Sequence, residues 1–198
     1  MSRSVIAYHI IFGAYGFWLP NDPRGSWSRY VGSNRLRPFG PPKPLRQDTT
    51  LTLAEAEQLG EMRARLDYPA VRFSDRQRES IATGFGEIIG KLGLVFYAAA
   101  IMPDHVHIVA ARQEMYAEDI AGYLKRAASR RLRSDGLHPL SEYPLPNERL
   151  PSPWAEHGWK VFLFDDVELE HAIKYVHNNP VEAGLARQQW PWIKLFDR

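Results

Sequence analysis

The stretch "LVFYAAAIMPDHVHIVAARQ", residues 94–113, contains two apolar runs separated by a short polar step. Both runs are rich in β-branched and aromatic residues, which favours strands. Pro103 and Asp104 mark a tight turn, so we predict one strand over residues 94–103 and a second over residues 105–113. Two strands joined by so short a connection pair antiparallel.

The flanking segments extend this pair into a longer pattern. "SVIAYHIIFGAYG" predicts a first strand, a cap at Ser74 begins a helix that Gly93 ends, a second helix covers residues 117–136, and "WKVFLFD" (159–165) predicts a fourth strand. The order β-α-β-β-α-β is that of the ferredoxin-like fold, in which two helices cover one face of an antiparallel sheet. We therefore predict an α+β, RRM-like fold with one added C-terminal helix, "DVELEHAIKYVHN", stopped by Pro180.

The composition indicates a single domain, residues 1–198, with an insertion at about 17–73 that is rich in Pro, Gly and Arg. Within the insertion, Thr52 and Glu55 have the spacing of a capping box at the start of a helix. The chain contains no cysteine, which excludes disulfides, zinc–thiolate sites and thiol catalysis. It contains neither a signal peptide nor an apolar run of roughly 18 residues, so we expect a cytoplasmic protein without a membrane segment.

Two histidines, His105 and His107, share one face of the third strand because side chains two residues apart point the same way. The other face, which carries Val106 and Ile108, is apolar and should lie under the helices. The histidines should then lie on the open face of the sheet or at its rim, with Asp104 pointing the other way if the strand is regular. They are either half-exposed polar residues or two ligands of a metal site that needs a third.

The C-terminal helix presents Tyr175 beside a predicted core stripe of Leu169, Ala172, Ile173 and Val176. Asn179 lies four residues after Tyr175 and shares its face if the last turn is helical, and His171 lies four residues before Tyr175 on the same face. This pattern fits a phenol flanked by potential metal ligands. It also fits a tyrosine at the edge of the core, followed by an Asn-Asn-Pro helix stop.

Four features occur in a fixed order: "MPDHVHIV", a basic helix, a tryptophan before a strand, and "YVHNNPVEAGL". Together they resemble the small tyrosine transposases of single-strand insertion sequences, and most closely the REP-associated tyrosine transposases, which have the His-hydrophobe-His (HUH) motif. The early "YGFWLPNDPRGSW" is similar to a motif of the same group. The resemblance covers most of the chain outside residues 28–70 and 138–153.

The resemblance implies that His105 and His107 bind Mg²⁺ or Mn²⁺ and that Tyr175 is the nucleophile. It makes Asn179 the third ligand, although relatives often have Gln there, which is one methylene longer. The implied reaction is cleavage and rejoining of single-stranded DNA through a 5′-phosphotyrosine, at hairpins formed by repeated palindromes. A homodimer is a further possibility, because insertion-sequence relatives are dimers. Tyr116 and Tyr123 are rival nucleophiles, but they follow the histidines too closely to match the late motif.

The segment "YLKRAASRRLRSDG" carries five cations within nine residues and no acid among them; they are Lys125, Arg126, Arg130, Arg131 and Arg133. We interpret them as a phosphate-binding face, although a solvated helix face has the same pattern. Cations also alternate with aromatic residues in residues 17–46, among them Arg24, Arg29, Trp27 and Tyr30, which suits unstacked bases and equally suits a Pro-rich loop. The aromatic tail "QQWPWIKLF" is expected to pack on the sheet.

Three other functions fit parts of the sequence. A metal-dependent nuclease without a covalent intermediate would use the histidines and be indifferent to Tyr175. A non-catalytic RNA-binding module would use the same fold, although such modules present aromatics on the open face. A transposase that binds DNA but no longer cuts it would not need both histidines and Tyr175.

Overall fold

The computed structural model describes residues 3–26, 31, 33–44, 46, 48 and 50–197. Within these residues there are four strands and four α-helices, together with a short 3-10 helix at Arg37–Phe39. In chain order they are β1 Ala7–Ala14, α1 Leu53–Ala64, α2 Asp75–Leu92, β2 Phe96–Ile101, β3 His105–Ala111, α3 Ala117–Ser134, β4 Trp154–Leu163 and α4 Asp166–Glu182.

The four strands form one antiparallel sheet in the order β2-β3-β1-β4. This is the strand order of the ferredoxin-like fold, in which the first and third strands are central and the two helical connections cover one face. The predicted α+β, ferredoxin-like fold is therefore confirmed.

One face of the sheet packs against α2 and α3 and forms the main core. Phe12 of β1 and Ile108 of β3 point to this side, where they meet Phe85 of α2 and Leu124 of α3. All four side chains are almost completely buried. The predicted ends of α2 are confirmed, with a capping box at Ser74 and a left-handed Gly93 at φ 66°.

The other face is covered in part by α4. Leu169 and Val176 of α4 pack against Ala98, Ala100 and Val109 of the sheet. The predicted core stripe is therefore confirmed, but the face that we expected to be open carries a helix. The stripe needs an apolar partner, and the small alanines of β2 provide one.

The prediction that α4 stops at Pro180 is wrong, because the helix continues to Glu182. Proline lacks an N–H, so it removes only the one helical bond that would reach the carbonyl of residue 176. The next turn still closes, since the N–H groups of Ala183 and Leu185 donate to the carbonyls of Asn179 and Pro180. Tyr175 and Asn179 consequently lie on one continuous helix.

The fourth strand begins five residues earlier than predicted, at Trp154. Gly158 obscures it in the sequence, because glycine weakens a strand pattern. The close approach of β1 explains this glycine: a Cβ at Gly158 would lie 2.7 Å from the carbonyl oxygen of Ile11. A side chain there would force the two strands apart.

The region predicted as an insertion builds a small core of its own. Leu19 and Leu36 pack with Leu59 and Met62 of α1, whose capping box at Thr52 is as predicted. The segment returns to the sheet beside its starting point, where the N–H of Val71 donates to the carbonyl of Tyr15. The bounds of the insertion and the single-domain organisation remain predictions.

The C-terminal tail packs on the sheet and α2, as expected. Trp192 lies edge-on to Phe85 and Phe96, with ring centroids 6.2 Å away in each case. Ile193 forms a parallel bridge with Phe96.

Candidate active site

The site lies on the α4 side of the sheet, where three histidines from β1 and β3 meet a tyrosine. In the register of the two strands, Ile11 faces His107 and Gly13 faces His105, so that His9 lies diagonally beside His107. Because cross-strand partners point to the same face, all three imidazoles project toward α4. Sequence reasoning found His105 and His107 but missed His9.

The side chains of His9 and His107 are hydrogen-bonded to each other. Nε2 of His9 lies 3.0 Å from Nδ1 of His107, and both side chains are buried. The signal for His9 in the sequence was weak, because a single histidine in "AYHIIF" shows only that it faces away from Tyr8 and Ile10. Only the register of β1 against β3 reveals its partner.

His105 is held on two sides. Its Nδ1 lies 2.8 Å from Oδ1 of Asp104, and its ring stacks on Phe17 with a centroid distance of 4.8 Å. The expectation that Asp104 points away from the histidine is wrong, because β3 begins at His105 and strand alternation does not extend to the turn. Asp104 also pairs with Arg72 at 2.9 Å.

Burial keeps two of the imidazoles uncharged. It lowers the pKa of His9 to about 4. It also lowers the pKa of His107, helped by the charges of His105 and His9, to about 2. Both rings are therefore neutral at neutral pH, which is the form that binds metal ions.

Tyr175 lies against the buried histidines. Its ring centroid is 5.6 Å from that of His107 and 5.9 Å from that of His9, with both contacts edge-to-face. The side chain is nevertheless 50% exposed, so a substrate can reach it from solvent. Asn179 follows one helical turn later and is partly buried.

The histidines and Asn179 have the chemistry of a small divalent-cation site. Nδ1 of His105 and Nδ1 of His107 are already hydrogen-bonded, which leaves the two Nε2 atoms as candidate ligands. An amide oxygen of Asn179 would be a third. Among the residues that the structure describes, no group of three His, Cys, Asp or Glu side chains is placed to hold a metal ion.

The rival tyrosines belong to the opposite side of the sheet. Tyr123 lies on α3, which packs in the main core through Ile120 and Leu124, and Tyr116 is the residue that caps this helix. Neither is among the rings in contact with the histidines in the described part of the chain.

The five cations of α3 have different environments. Lys125 donates to the carbonyls of residues 155–157, and burial lowers its pKa to about 8. Arg131 is paired with Glu87 and Asp135, each at 2.9 Å. Arg126, Arg130 and Arg133 are exposed on the same helix.

A groove runs between α3 and the loop of residues 138–153. It consists of two adjoining cavities of about 460 and 530 Å³, which share Lys125 and Arg126. Arg130 and Arg149 line the larger cavity, and Tyr15 and Tyr68 line the smaller. The loop thus adds Arg149 to the basic surface, which sequence reasoning did not single out.

Arg24, the predicted DNA contact of the early segment, is bonded within its own loop. Its guanidinium makes two bonds to the buried carboxylate of Asp22, at 2.8 and 2.7 Å, and lies over the ring of Trp18. Trp27, Arg29 and Tyr30 lie outside the described residues.

Comparison with known proteins identifies the class to which this chain belongs. The sequence model of the family described as "Transposase IS200 like" matches residues 65–179, more than half of the chain, from the end of α1 through β3 and α3 to Asn179. The chain therefore belongs to the IS200-like transposase family, as its sequence motifs predicted.

Solved structures give two remote likenesses. One is a REP-associated tyrosine transposase bound to a REP hairpin, with 12% identity and a TM-score of 0.47; the match covers 97% of this chain and 79% of the other. The second is a putative transposase from Deinococcus radiodurans R1, with 15% identity and a TM-score of 0.41, covering 92% and 93% of the two chains. A search of curated proteins gives no match.

Across the part of the chain that the structure describes, no helix combines the length and the apolar character that crossing a membrane requires.

Proposed function

We propose that this protein cleaves and rejoins single-stranded DNA, with Tyr175 as the nucleophile. The observation that supports this most strongly is the position of Tyr175: a half-exposed phenol in edge-to-face contact with two buried, neutral imidazoles. A structural tyrosine has no need of histidines beside it. A nucleophile that attacks a phosphate does need a site beside it where the negative charge of the phosphate is stabilised.

His105, His107 and Asn179 would hold a Mg²⁺ or Mn²⁺ ion, the cofactor that the family resemblance implies. Such an ion supplies positive charge that offsets the charge developing on the scissile phosphate. The two imidazoles would contribute nitrogen ligands from one strand, and Asn179 would contribute an amide oxygen from the helix that carries the nucleophile. The nucleophile and its metal ligand would then move together.

In the cleavage step, the phenolic oxygen of Tyr175 forms a bond to phosphorus while the bond from phosphorus to the 3′ oxygen breaks. The phenolic proton passes to solvent, and the released 3′ oxygen takes a proton from solvent to become a hydroxyl. The product is a 5′-phosphotyrosine. Attack by a 3′-hydroxyl on this linkage reverses the step, so strand joining needs no external energy source.

The DNA path is proposed to use the exposed arginines of α3 and the adjoining groove. Arg126, Arg130 and Arg149 line the groove, and Tyr15 and Tyr68 at one end offer rings for stacking. Arg133 adds a further exposed cation on the same helix. Lys125, Arg131 and Arg24 contribute less in this proposal, because carbonyl or carboxylate partners already hold them. A DNA hairpin is the proposed substrate form.

The test is a covalent-adduct assay. The protein is mixed with end-labelled single-stranded DNA from the flanks of its own gene, with Mn²⁺ or with EDTA, and run on a denaturing gel. We expect a protein–DNA band that needs both Mn²⁺ and Tyr175 and that is unchanged in the control Tyr123→Phe. Cleavage without a covalent band would instead support a metal-dependent nuclease.

A non-catalytic RNA-binding module is the weaker alternative. Such modules bind bases on an open sheet face, whereas α4 covers the part of that face formed by β2 and β3 here. Binding of single-stranded RNA without cleavage of DNA would favour this alternative. Binding without cleavage, on DNA that carries the correct hairpin, would favour a transposase that no longer cuts.

A further inference from the structure

His9 has no part in the proposed reaction as stated so far, yet it contacts two residues that do. It is only 8% exposed, its Nε2 lies 3.0 Å from Nδ1 of His107, and its ring meets that of Tyr175 edge-to-face. A buried imidazole between a proposed ligand and a proposed nucleophile calls for a reason beyond packing.

The bond between the two histidines decides which nitrogen of His107 can bind a cation. In a neutral imidazole one nitrogen carries the proton and the other carries a lone pair. If Nδ1 of His107 donates to His9, then Nε2 of His107 keeps its lone pair and can be a ligand. If Nδ1 accepts instead, Nε2 carries the proton and cannot.

His105 shows which arrangement suits the site. Its Nδ1 lies 2.8 Å from the carboxylate of Asp104, and a carboxylate only accepts. His105 therefore carries a proton at Nδ1, and in the neutral form of the ring the lone pair is on Nε2. Metal-binding histidines generally donate their second nitrogen to such an outer partner, which fixes the tautomer and the ring orientation.

We propose that His9 is a positioning residue: it accepts the Nδ1 proton of His107 and so keeps Nε2 of His107 available as a metal ligand. His9 takes the place that Asp104 takes for His105, but it is uncharged. A second carboxylate at this point would repel an incoming phosphate, whereas an imidazole adds no negative charge. The metal-binding part of this statement rests on the proposed function; the tautomer part does not.

The first readout needs no metal and no DNA. Long-range ¹H–¹⁵N spectra of the metal-free protein distinguish protonation at Nδ1 from protonation at Nε2. We expect Nδ1–H for His107 in the parent protein and in His9→Gln, whose amide oxygen can accept the same proton. In His9→Phe the acceptor is gone, and we expect the Nδ1–H form of His107 to be lost in part or in full.

The second readout is Mn²⁺ affinity, measured by calorimetry without DNA. Loss of an outer hydrogen-bond partner typically lowers metal affinity by about 10–100-fold, which we expect for His9→Phe but not for His9→Gln. His138→Phe is the matched control, because His138 is equally buried, at 7% exposure, but packs near α3 instead of the site. Circular dichroism verifies that each variant is folded.

Protonation of His107 at Nε2 in the parent would overturn the proposal, and so would unchanged Mn²⁺ affinity in His9→Phe. The outcome that contradicts the proposed function is a different one. If the parent shows Nδ1–H at His107 but binds no Mn²⁺, the metal site fails while the role of His9 in fixing the tautomer stands.

Discussion

The two faces of the central sheet are built from the same strands but serve different ends. Toward α2 and α3, the strands present mainly apolar side chains such as Phe12 and Ile108. Toward α4, the alternate positions of β1 and β3 place His9, His105 and His107 in one cluster. Because successive side chains of a strand point to opposite faces, the same strands stabilise the fold on one face and, as we propose, carry the chemistry on the other.

The comparison shows how a small domain can bury imidazoles without losing its core. The large side chains are concentrated on the first face, where Phe85 and Leu124 fill the space between two helices and the sheet. The second face uses the small residues Ala98 and Ala100 under a single helix. That helix leaves Tyr175 half exposed at its edge, so the site stays accessible while the histidines are buried.

The largest effect should come from Tyr175→Phe, which tests the second face alone. Removing one oxygen leaves no nucleophile, so covalent adduct should fall below detection. The free energy of unfolding should change by no more than about 0.5 kcal/mol, because half of this side chain lies in solvent. Adduct gels and urea melts on Tyr175→Phe and Tyr123→Phe check both; equal adduct in the two variants would rule out the assignment.

Substitutions on the face toward α2 and α3 should lower the free energy of unfolding. Leu124→Ala removes a fully buried side chain from the main core and should lower the free energy of unfolding by about 2–5 kcal/mol. Leu169→Ala, the matched change under α4, should cost less because its neighbours are small, but it should reduce adduct formation by shifting the helix that carries Tyr175. Urea melts and adduct gels on both variants measure this; a larger stability loss in Leu169→Ala would contradict the division between the faces.

The second face should also make stability depend on pH. The pKa values of His9 and His107 are about 4 and about 2 in the folded protein, while an unfolded histidine titrates near 6.5. Between about pH 6.5 and 4 the unfolded chain therefore binds protons that the folded chain does not. Stability should fall as the pH is lowered through this window, by up to about 1.4 kcal/mol per pH unit for each histidine.

Urea melts of metal-free protein at a series of pH values measure this slope. His9→Gln removes one of the two titrating groups, so its slope should be clearly shallower than that of the parent. Identical slopes would mean that His9 is not held neutral by burial.

The smallest effects should come from the basic groove on the outer side of α3. Arg130→Ala and Arg149→Ala should each weaken binding of single-stranded DNA and reduce the slope of log K against log salt by about 0.7. Arg131→Ala should change the slope less, because Glu87 and Asp135 already neutralise this residue. Fluorescence anisotropy over a salt series distinguishes them, and a larger slope change for Arg131→Ala would place the DNA elsewhere.

The spacing of apolar residues and the residues that cap or end helices predicted the elements of the fold well. The caps at Thr52 and Ser74, the end of α2 at Gly93 and the core stripe of α4 all follow from local backbone chemistry. The errors arose where tertiary contacts decide. Pro180 did not end α4, because the following turn closes on the carbonyls of Asn179 and Pro180. The start of β4 was missed because Gly158 interrupts the strand pattern, and this position is a glycine because β1 approaches too closely for a side chain.

The sequence by itself determined the strand order pattern, the shared face of His105 and His107, the shared face of Tyr175 and Asn179, and the family to which the chain belongs. These depend on neighbours two or four residues apart and on motifs, and local geometry suffices for them. Only the tertiary structure brought α4 onto the histidine face, joined His9 to His107 across strands 98 residues apart, and divided the cations of α3 into bonded and exposed ones. Contacts of that kind depend on strand register and helix packing, which no local pattern encodes.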